Sequence, residues 1–224
     1  MKVGYAVLYK DGELVISKNH TLLQKKIEKD YGIFEDTNVP WICNCKKIKI
    51  VQIFNQVKSN CMNSWFFYCS NLKTLMNFQN LNVSDCKDFS NLFYNCLSLR
   101  DILSLYYLDV SNGQNFQNMF YNCKSLIDIS PLSNWDVFNG IDFSWMFNYC
   151  KLLTNISVLY NWNVLNGKDF CSMFKDCVNL KEIHLTNTLK NLNWEMFDGC
   201  NPNLKIHWKE KIYTYEDLLE YQEF

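Results

Sequence analysis

Glycine and proline are scarce in this 224-residue chain, with seven of one and three of the other. That excludes a collagen-like or linker-rich protein, both of which need far more of the two residues. Charge of either sign is not in excess. The formal net charge is −1, which gives no basic stripe for a nucleic acid, so nucleic acid is not an expected partner. No apolar run approaches the ~20 residues needed to cross a bilayer, and membrane insertion is not expected either. The opening Met1-Lys2-Val3-Gly4-Tyr5-Ala6-Val7-Leu8-Tyr9-Lys10-Asp11 runs straight into charged residues and lacks the apolar stretch of a signal peptide. The expected location is therefore cytoplasmic or within a viral or host assembly. A cell-surface location would call for a longer precursor with its own signal. Also missing are a Gly-rich phosphate loop, a nucleophile elbow and a His-Glu-x-x-His pair. No catalytic constellation can be assembled, and neither an enzyme nor a cofactor is expected.

Cysteine, by contrast, is plentiful and periodic. Cys69, Cys96, Cys123, Cys150 and Cys177 stand 27 residues apart, and Cys200 follows after 23. Three residues before each comes Phe66, Phe93, Phe120, Phe147, Phe174 or Phe197, and three after the first five comes Leu72, Leu99, Leu126, Leu153 or Leu180. Further on, Leu75, Ile102, Ile129, Ile156 and Ile183 share a column, as do Phe89, Phe116, Phe143 and Phe170. Self-similarity at a fixed period marks a repeat architecture.

Spacing within one unit suggests its shape. Leu180-Lys181-Glu182-Ile183-His184 reads as a short strand, and Phe143-Ser144-Trp145-Met146-Phe147 puts apolar residues at i, i+3 and i+4, one face of a helical turn. A unit this small cannot bury enough surface alone, but stacked units turn the inward residues into ladders. The expected fold is a leucine-rich-repeat solenoid of short parallel strands with short helical or 3-10 turns, plus a small mixed N-terminal cap. One cysteine per 27 residues is the opposite of paired zinc-ligand spacing. The cysteines therefore read as small buried residues, reduced by default, and no metal is expected.

The block Met119-Phe120-Tyr121-Asn122-Cys123-Lys124-Ser125-Leu126, followed by Ser133-Asn134-Trp135-Asp136, resembles the BspA-like leucine-rich repeats and, more narrowly, the DUF285 family. The shorter last unit, Leu180 to Cys200, is similar to the treponemal type of the same superfamily, and Tyr5 to Leu14 resembles the opening of many DUF285 chains. This resemblance implies a right-handed solenoid and roles in adhesion or protein binding.

Three regions are expected: a capping region of β-hairpin and helix over residues 1–60, the repeats over 61–208, and a capping helix over 209–224. Asp11-Gly12 sits between two β-prone runs as a hairpin turn. Leu22, Leu23 and Ile27 fall at helical spacing within Thr21–Lys29, and Ile48 to Phe54 reads as a half-exposed strand. Thr214 with Asp217 forms a capping box opening a helix from Tyr215 to Gln222.

The expected working surface is the exposed side of the repeat strands. It comprises Lys73, Thr74 and Met76; Arg100, Asp101 and Leu103; Ile127, Asp128 and Ser130; Thr154, Asn155 and Ser157; and Lys181, Glu182 and His184. Mixed apolar, charged and hydroxyl groups on a rigid surface suit another protein as partner. A surface or secreted adhesin, or a structural component of a viral particle, is the alternative. His184 and His207 each follow a repeat cysteine by seven residues and should meet on adjacent strands, as a metal-holding pair or as two solvated polar residues. Asp88, Asn115, Asp142 and Asp169 form a further column, better suited to capping the next segment than to calcium.

Overall fold

The computed structural model describes residues 2–190 and 194–220. It opens on a hairpin, β1 (Lys2–Tyr9) against β2 (Glu13–Ser17), turned at Asp11 and Gly12 as the sequence predicts. A helix over Thr21–Lys29 does not form. Residues 27–35 instead make β3 (Ile27–Glu35), antiparallel to the free edge of β1. The competing force is visible: β1 offers a full row of backbone partners, and the connection is tied down by Leu23 N–H donating to the Tyr9 hydroxyl at 2.7 Å. A few apolar residues at helical spacing do not outweigh those bonds.

β4 (Ile50–Phe54) then pairs with β2 in parallel, and β6 (Thr74–Met76) pairs with β4, giving a five-stranded sheet in the order β3-β1-β2-β4-β6. On the next side of the coil, β5 (Val57–Lys58) pairs with β7 (Leu81–Asn82). Both pairings join residues 24 apart. Cys45, Ile48 and Val51 thus stand one coil before Cys69, Leu72 and Leu75, and all six are buried. Trp41 closes that end by stacking on Phe66, with centroids 6.2 Å apart, and by packing edge-on to Phe34 and Trp65. A coil that the 27-residue spacing did not reveal therefore precedes the first one it did.

From there residues 27 apart lie above one another. The Phe column runs Phe66, Phe93, Phe120, Phe147, Phe174, Phe197 with rings near-parallel and centroids 5.4–5.8 Å apart. A second column joins Phe89, Phe116, Phe143 and Phe170. Burying each such ring contributes roughly 1.5–3 kcal/mol, which makes these columns a substantial source of cohesion beside the Leu and Ile ladders.

Local backbone differs from the expected strand and helical turn. The Phe-x-x-Met-Phe stretch is not a helical turn. It is a run of tight turns in which every fourth residue is left-handed: Asn91 and Asn95, Asn118 and Asn122, Trp145 and Tyr149, Ser172 and Asp176. That alternation points every second N–H at the next coil, as from Asn118 to the Ser144 carbonyl and Phe120 to Met146. In these middle coils the short 3-10 helices lie elsewhere, at Leu103–Tyr107, Ser130–Asn134 and Ser157–Asn161, whereas at the two ends Ile42–Lys47 and Trp194–Phe197 are 3-10 helices at the cysteine corner itself. Strand pairing in these middle coils shrinks to single bridges such as Thr74 with Asp101 and Asp128 with Asn155.

One residue decides between the two outcomes. Asp101, Asp128 and Asn155 each accept the N–H two residues on, at 3.2, 2.9 and 3.1 Å, which turns the chain at once. Where Thr74, Glu182 or Lys205 holds the same place, the strand continues as β6, β8 (Glu182–His184) or β9 (Lys205–Trp208). The column of Asp88, Asn115, Asp142 and Asp169 does the same work one corner later, each capping the N–H two residues ahead at 2.8–3.0 Å.

The last coils pair β8 with β9 in parallel, and β10 (Lys211–Tyr213) folds back on the outer edge of β9. Helix α1 (Tyr215–Glu220) follows. Thr214 and Asp217 cap it reciprocally, the Thr214 N–H and hydroxyl donating to Asp217 while the Asp217 N–H donates to the Thr214 hydroxyl. The expected end of that helix, Tyr221 and Gln222, lies outside the described residues.

Candidate binding face

Each coil presents three of the sequence-selected positions on one side. Of the fifteen residues, Thr74 and Asp128 are half-buried and the other thirteen are exposed. The intervening Leu75, Ile102, Ile129, Ile156 and Ile183 point inward and are buried, so the alternation of in and out holds along the whole stack. The third member of each triplet does not always sit on a strand. Met76 and His184 do, whereas Leu103, Ser130 and Ser157 open the 3-10 helices. The surface is a stepped one: strand at both ends, helical corner in the middle.

Asp101, Asp128 and Asn155 of the face are committed to the fold, whereas Glu182 lies on a strand and caps no turn. Asp128 accepts both the N–H and the hydroxyl of Ser130, at 2.9 and 2.6 Å, and Asn155 does likewise with Ser157 at 3.1 and 2.9 Å. Their side chains are thus turn formers first. The uncommitted groups include Lys73, Met76, Arg100, Leu103 and Ile127. Leu103 is 68% exposed and Ile127 52%. Beside them the helical corner adds Tyr106 and Tyr107, the latter 62% exposed, and Tyr160 in a later coil. The tyrosines are additions that repeat counting missed, although their recurrence ten or eleven residues after Cys96 and Cys150 was available as a signal. A second aromatic strip, Phe67, Tyr94 and Tyr121, occupies the position two before each cysteine, with centroids 4.9 and 4.5 Å apart. Its stacked rings are half-buried.

At the end of the face, Glu182, His184 and His207 come together. His184 and His207 are paired residues of β8 and β9, and their rings stack with centroids 4.1 Å apart. Glu182 Oε1 lies 2.7 Å from His207 Nε2 and 3.5 Å from His184 Nε2. The sequence expectation that these imidazoles would meet on adjacent strands is met in geometry.

Elsewhere the titratable groups point to packing rather than chemistry. Burial pushes the thiols of Cys69, Cys96, Cys150 and Cys177 well above the ordinary range and holds Cys86 and Cys200 at about 12. Such thiols are poor nucleophiles. All eleven cysteines are unbridged. Among the described residues, no helix is long and apolar enough to cross a membrane.

No curated protein matches the chain in sequence. Among solved structures it is similar to a leucine-rich-repeat protein of T. pallidum, at 16% identity and a TM-score of 0.48, over 93% of this chain and 79% of that one. It is also similar to a leucine-rich cell surface protein of Faecalibacterium prausnitzii, at 15% identity and a TM-score of 0.38, over 94% of this chain. The chain spans about half, 51%, of the length of that protein. A leucine-rich-repeat protein of Bacteroides ovatus aligns at 13% identity and a TM-score of 0.37, over 97% of this chain and 68% of that one. The family described as "Mycoplasma protein of unknown function, DUF285" matches residues 41–153 and 104–206, and so takes in the cryptic first coil as well as the evident ones. With the greater part of its length covered by those two matches, the chain belongs to the DUF285 family.

Proposed function

We propose that this chain is a non-catalytic interaction module, a right-handed repeat solenoid whose stepped face binds another protein. The end structures, the β1–β2–β3 sheet at one side and the β9–β10 hairpin with α1 at the other, serve in this reading as caps that shield the terminal coils. The observation that carries the reading is the exposure of Leu103 and Ile127 on consecutive coils, flanked by Met76, Tyr107 and the basic Lys73 and Arg100. Large apolar side chains held out of the core on a rigid frame, with charges at their rim, have the composition of a protein interface. Eleven unbridged thiols suit a reducing compartment, which favours a partner inside a cell or assembly over an extracellular one.

The test is quantitative capture of partners from the cell of origin with wild type and with the double variant Leu103→Asp, Ile127→Asp. Both side chains are exposed, so the variant should unfold at the wild-type temperature while losing one set of captured proteins. Recovery of every protein in equal amount by the two forms would overturn the proposal. Asp101 and Asp128 are unsuitable for this purpose, because their removal disturbs the turns they hold.

A further inference from the structure

We propose that Glu182, His184 and His207 form a binding site for one divalent transition-metal ion of the zinc or nickel class. The inference is independent of whether the face binds protein. Glu182 stands where the middle coils carry Asp or Asn, so the chain does not turn and β8 extends through His184. The same continuation in β9 places His207 directly beside it, in register. Adjacent parallel strands lie about 4.8 Å apart, and side chains of paired residues leave the same face, which brings two imidazoles and one carboxylate to a single point.

The distances suit a shared ion. One ligand atom from each of the three residues lies within 4.8 Å of the others. Bonds of about 2.0–2.2 Å to nitrogen and oxygen place the ligands of one ion roughly 3 Å apart. Glu182 Oε1 already stands 2.7 and 3.5 Å from the two Nε2 atoms. His207 Nε2 is enclosed by protein yet lies off the line of a hydrogen bond to its near neighbour, so its lone pair or proton is unused. A small splaying of the stacked rings, now 18° from parallel, would aim both nitrogens at a common centre. Two imidazoles and a carboxylate are borderline donors that prefer zinc, nickel or cobalt over magnesium or calcium.

The site is open on one side. His184 and His207 line a depression of about 440 Å³ with Tyr160, Trp208 and Glu210. Two of the three proposed ligands line this space, with Glu182 beside them, which leaves positions for water or for a donor from another molecule. Glu210 also brings a second carboxylate to the rim. The two-residue turn that forms it, Lys209 and Glu210, is left-handed at both positions without glycine or asparagine, with φ of 48° and 64°. Lys209 meanwhile lies over the Trp208 ring, 4.0 Å from its centroid, and so occupies the wall of the depression.

The experiment is calorimetric titration of the full chain, free of any polyhistidine tag, with NiCl2 and ZnCl2 in parallel, and with CoCl2 followed by absorbance. One ion per chain should bind. His184→Asn and His207→Asn should each weaken binding at least tenfold, and Glu182→Gln several-fold. The cobalt complex should lack the intense near-ultraviolet band of thiolate ligation, which separates this site from adventitious binding at the exposed Cys43. Because Glu182 and His184 are exposed, their variants should melt at the wild-type temperature in the presence of chelator, and only wild type should gain melting temperature with the metal. Stoichiometric binding that survives the double variant His184→Asn, His207→Asn, or no binding by wild type at millimolar metal, overturns the proposal.

Discussion

The thiol of Cys150 donates a hydrogen bond to the backbone carbonyl of Phe120, thirty residues earlier, at 3.2 Å. The same bond recurs from Cys96 to Phe66, Cys123 to Phe93, Cys177 to Phe147 and Cys200 to Phe174, at 3.0–3.3 Å. Each carbonyl thus receives a second donor from the coil that follows it. This explains why cysteine, and not alanine or valine, occupies a small buried site in every coil: it is nearly apolar yet carries a donor. Cys150→Ala should lower stability by about 1–2 kcal/mol in urea unfolding, through the lost contacts and the carbonyl left with one donor. Cys150→Val separates the two causes, because it keeps the apolar volume and removes only the donor. Wild-type stability in the valine variant would rule out the hydrogen bond as a contributor.

Alkaline pH should unfold the protein. Burial raises the folded-state pKa of Cys69, Cys96, Cys123, Cys150 and Cys177, while the unfolded thiols titrate near about 8.5. Below that value both states are protonated and the stabilisation is fully present. Above it the unfolded chain releases protons that the folded chain retains, so stability falls as pH rises toward the folded values. Each ionising thiol costs about 1.4 kcal/mol per pH unit, and five together roughly 7. Tyr31, pushed up to about 12 by burial, acts in the same direction. Melting temperatures measured in reductant should therefore be flat from pH 7 to 8 and drop steeply by pH 10. A flat profile to pH 10 would show that the ladder is not shielded from water.

The repeats were legible because stacking demands one side chain per coil in each column, and the 27-residue period records that demand directly. The coil built on Cys45, Ile48 and Val51 is hidden because its step is 24 residues and Trp41-Ile42 stands where later coils carry Met-Phe. Thr21–Lys29 was misread because helical spacing is a local signal and the pairing of β3 with β1 is not. Exposure of the candidate face followed from simple alternation around Ile102 and Ile129, but its stepped shape did not. That shape depends on whether Asp or Asn, as at Asp101, stands where Thr74 or Glu182 could stand, and the Asx side chain is easily counted as surface charge. Asparagine was the least legible of all. Its abundance looks compositional, yet Asn112, Asn139 and Asn166 each donate to a carbonyl 28 residues back at 2.8 Å.

Asparagine also carries the left-handed positions, and Asn118 (φ 56°) isolates that role. A residue with an ordinary Cβ pays roughly 1–2 kcal/mol in this conformation, whereas glycine pays none and asparagine little. Asn118→Ala should therefore destabilise by about 1 kcal/mol, and Asn118→Gly should be close to neutral. Equal losses for the two variants in urea unfolding would mean that the side chain's contacts, and not its backbone tolerance, matter there.

Gly140 tests how tightly the second phenylalanine column is held. A Cβ built on it would fall 2.2 Å from Phe143 Cζ and 3.0 Å from the Val137 carbonyl oxygen, and Gly113 and Gly167 stand in the same relation to Phe116 and Phe170. The glycine at this corner is thus required by close approach, not by backbone conformation. Phe143 cannot swing aside cheaply, because it stacks between Phe116 and Phe170 with centroids 5.3 and 5.2 Å away. Gly140→Ala, normally stabilising by under 1 kcal/mol where space allows, should here destabilise by about 1–3 kcal/mol through overpacking. The double variant Gly140→Ala, Phe143→Leu should recover part of the loss relative to Phe143→Leu alone, since the shorter side chain frees the space the methyl needs. A thermodynamic cycle on the four proteins measures that coupling, and strict additivity would show that the clash relaxes elsewhere in the turn.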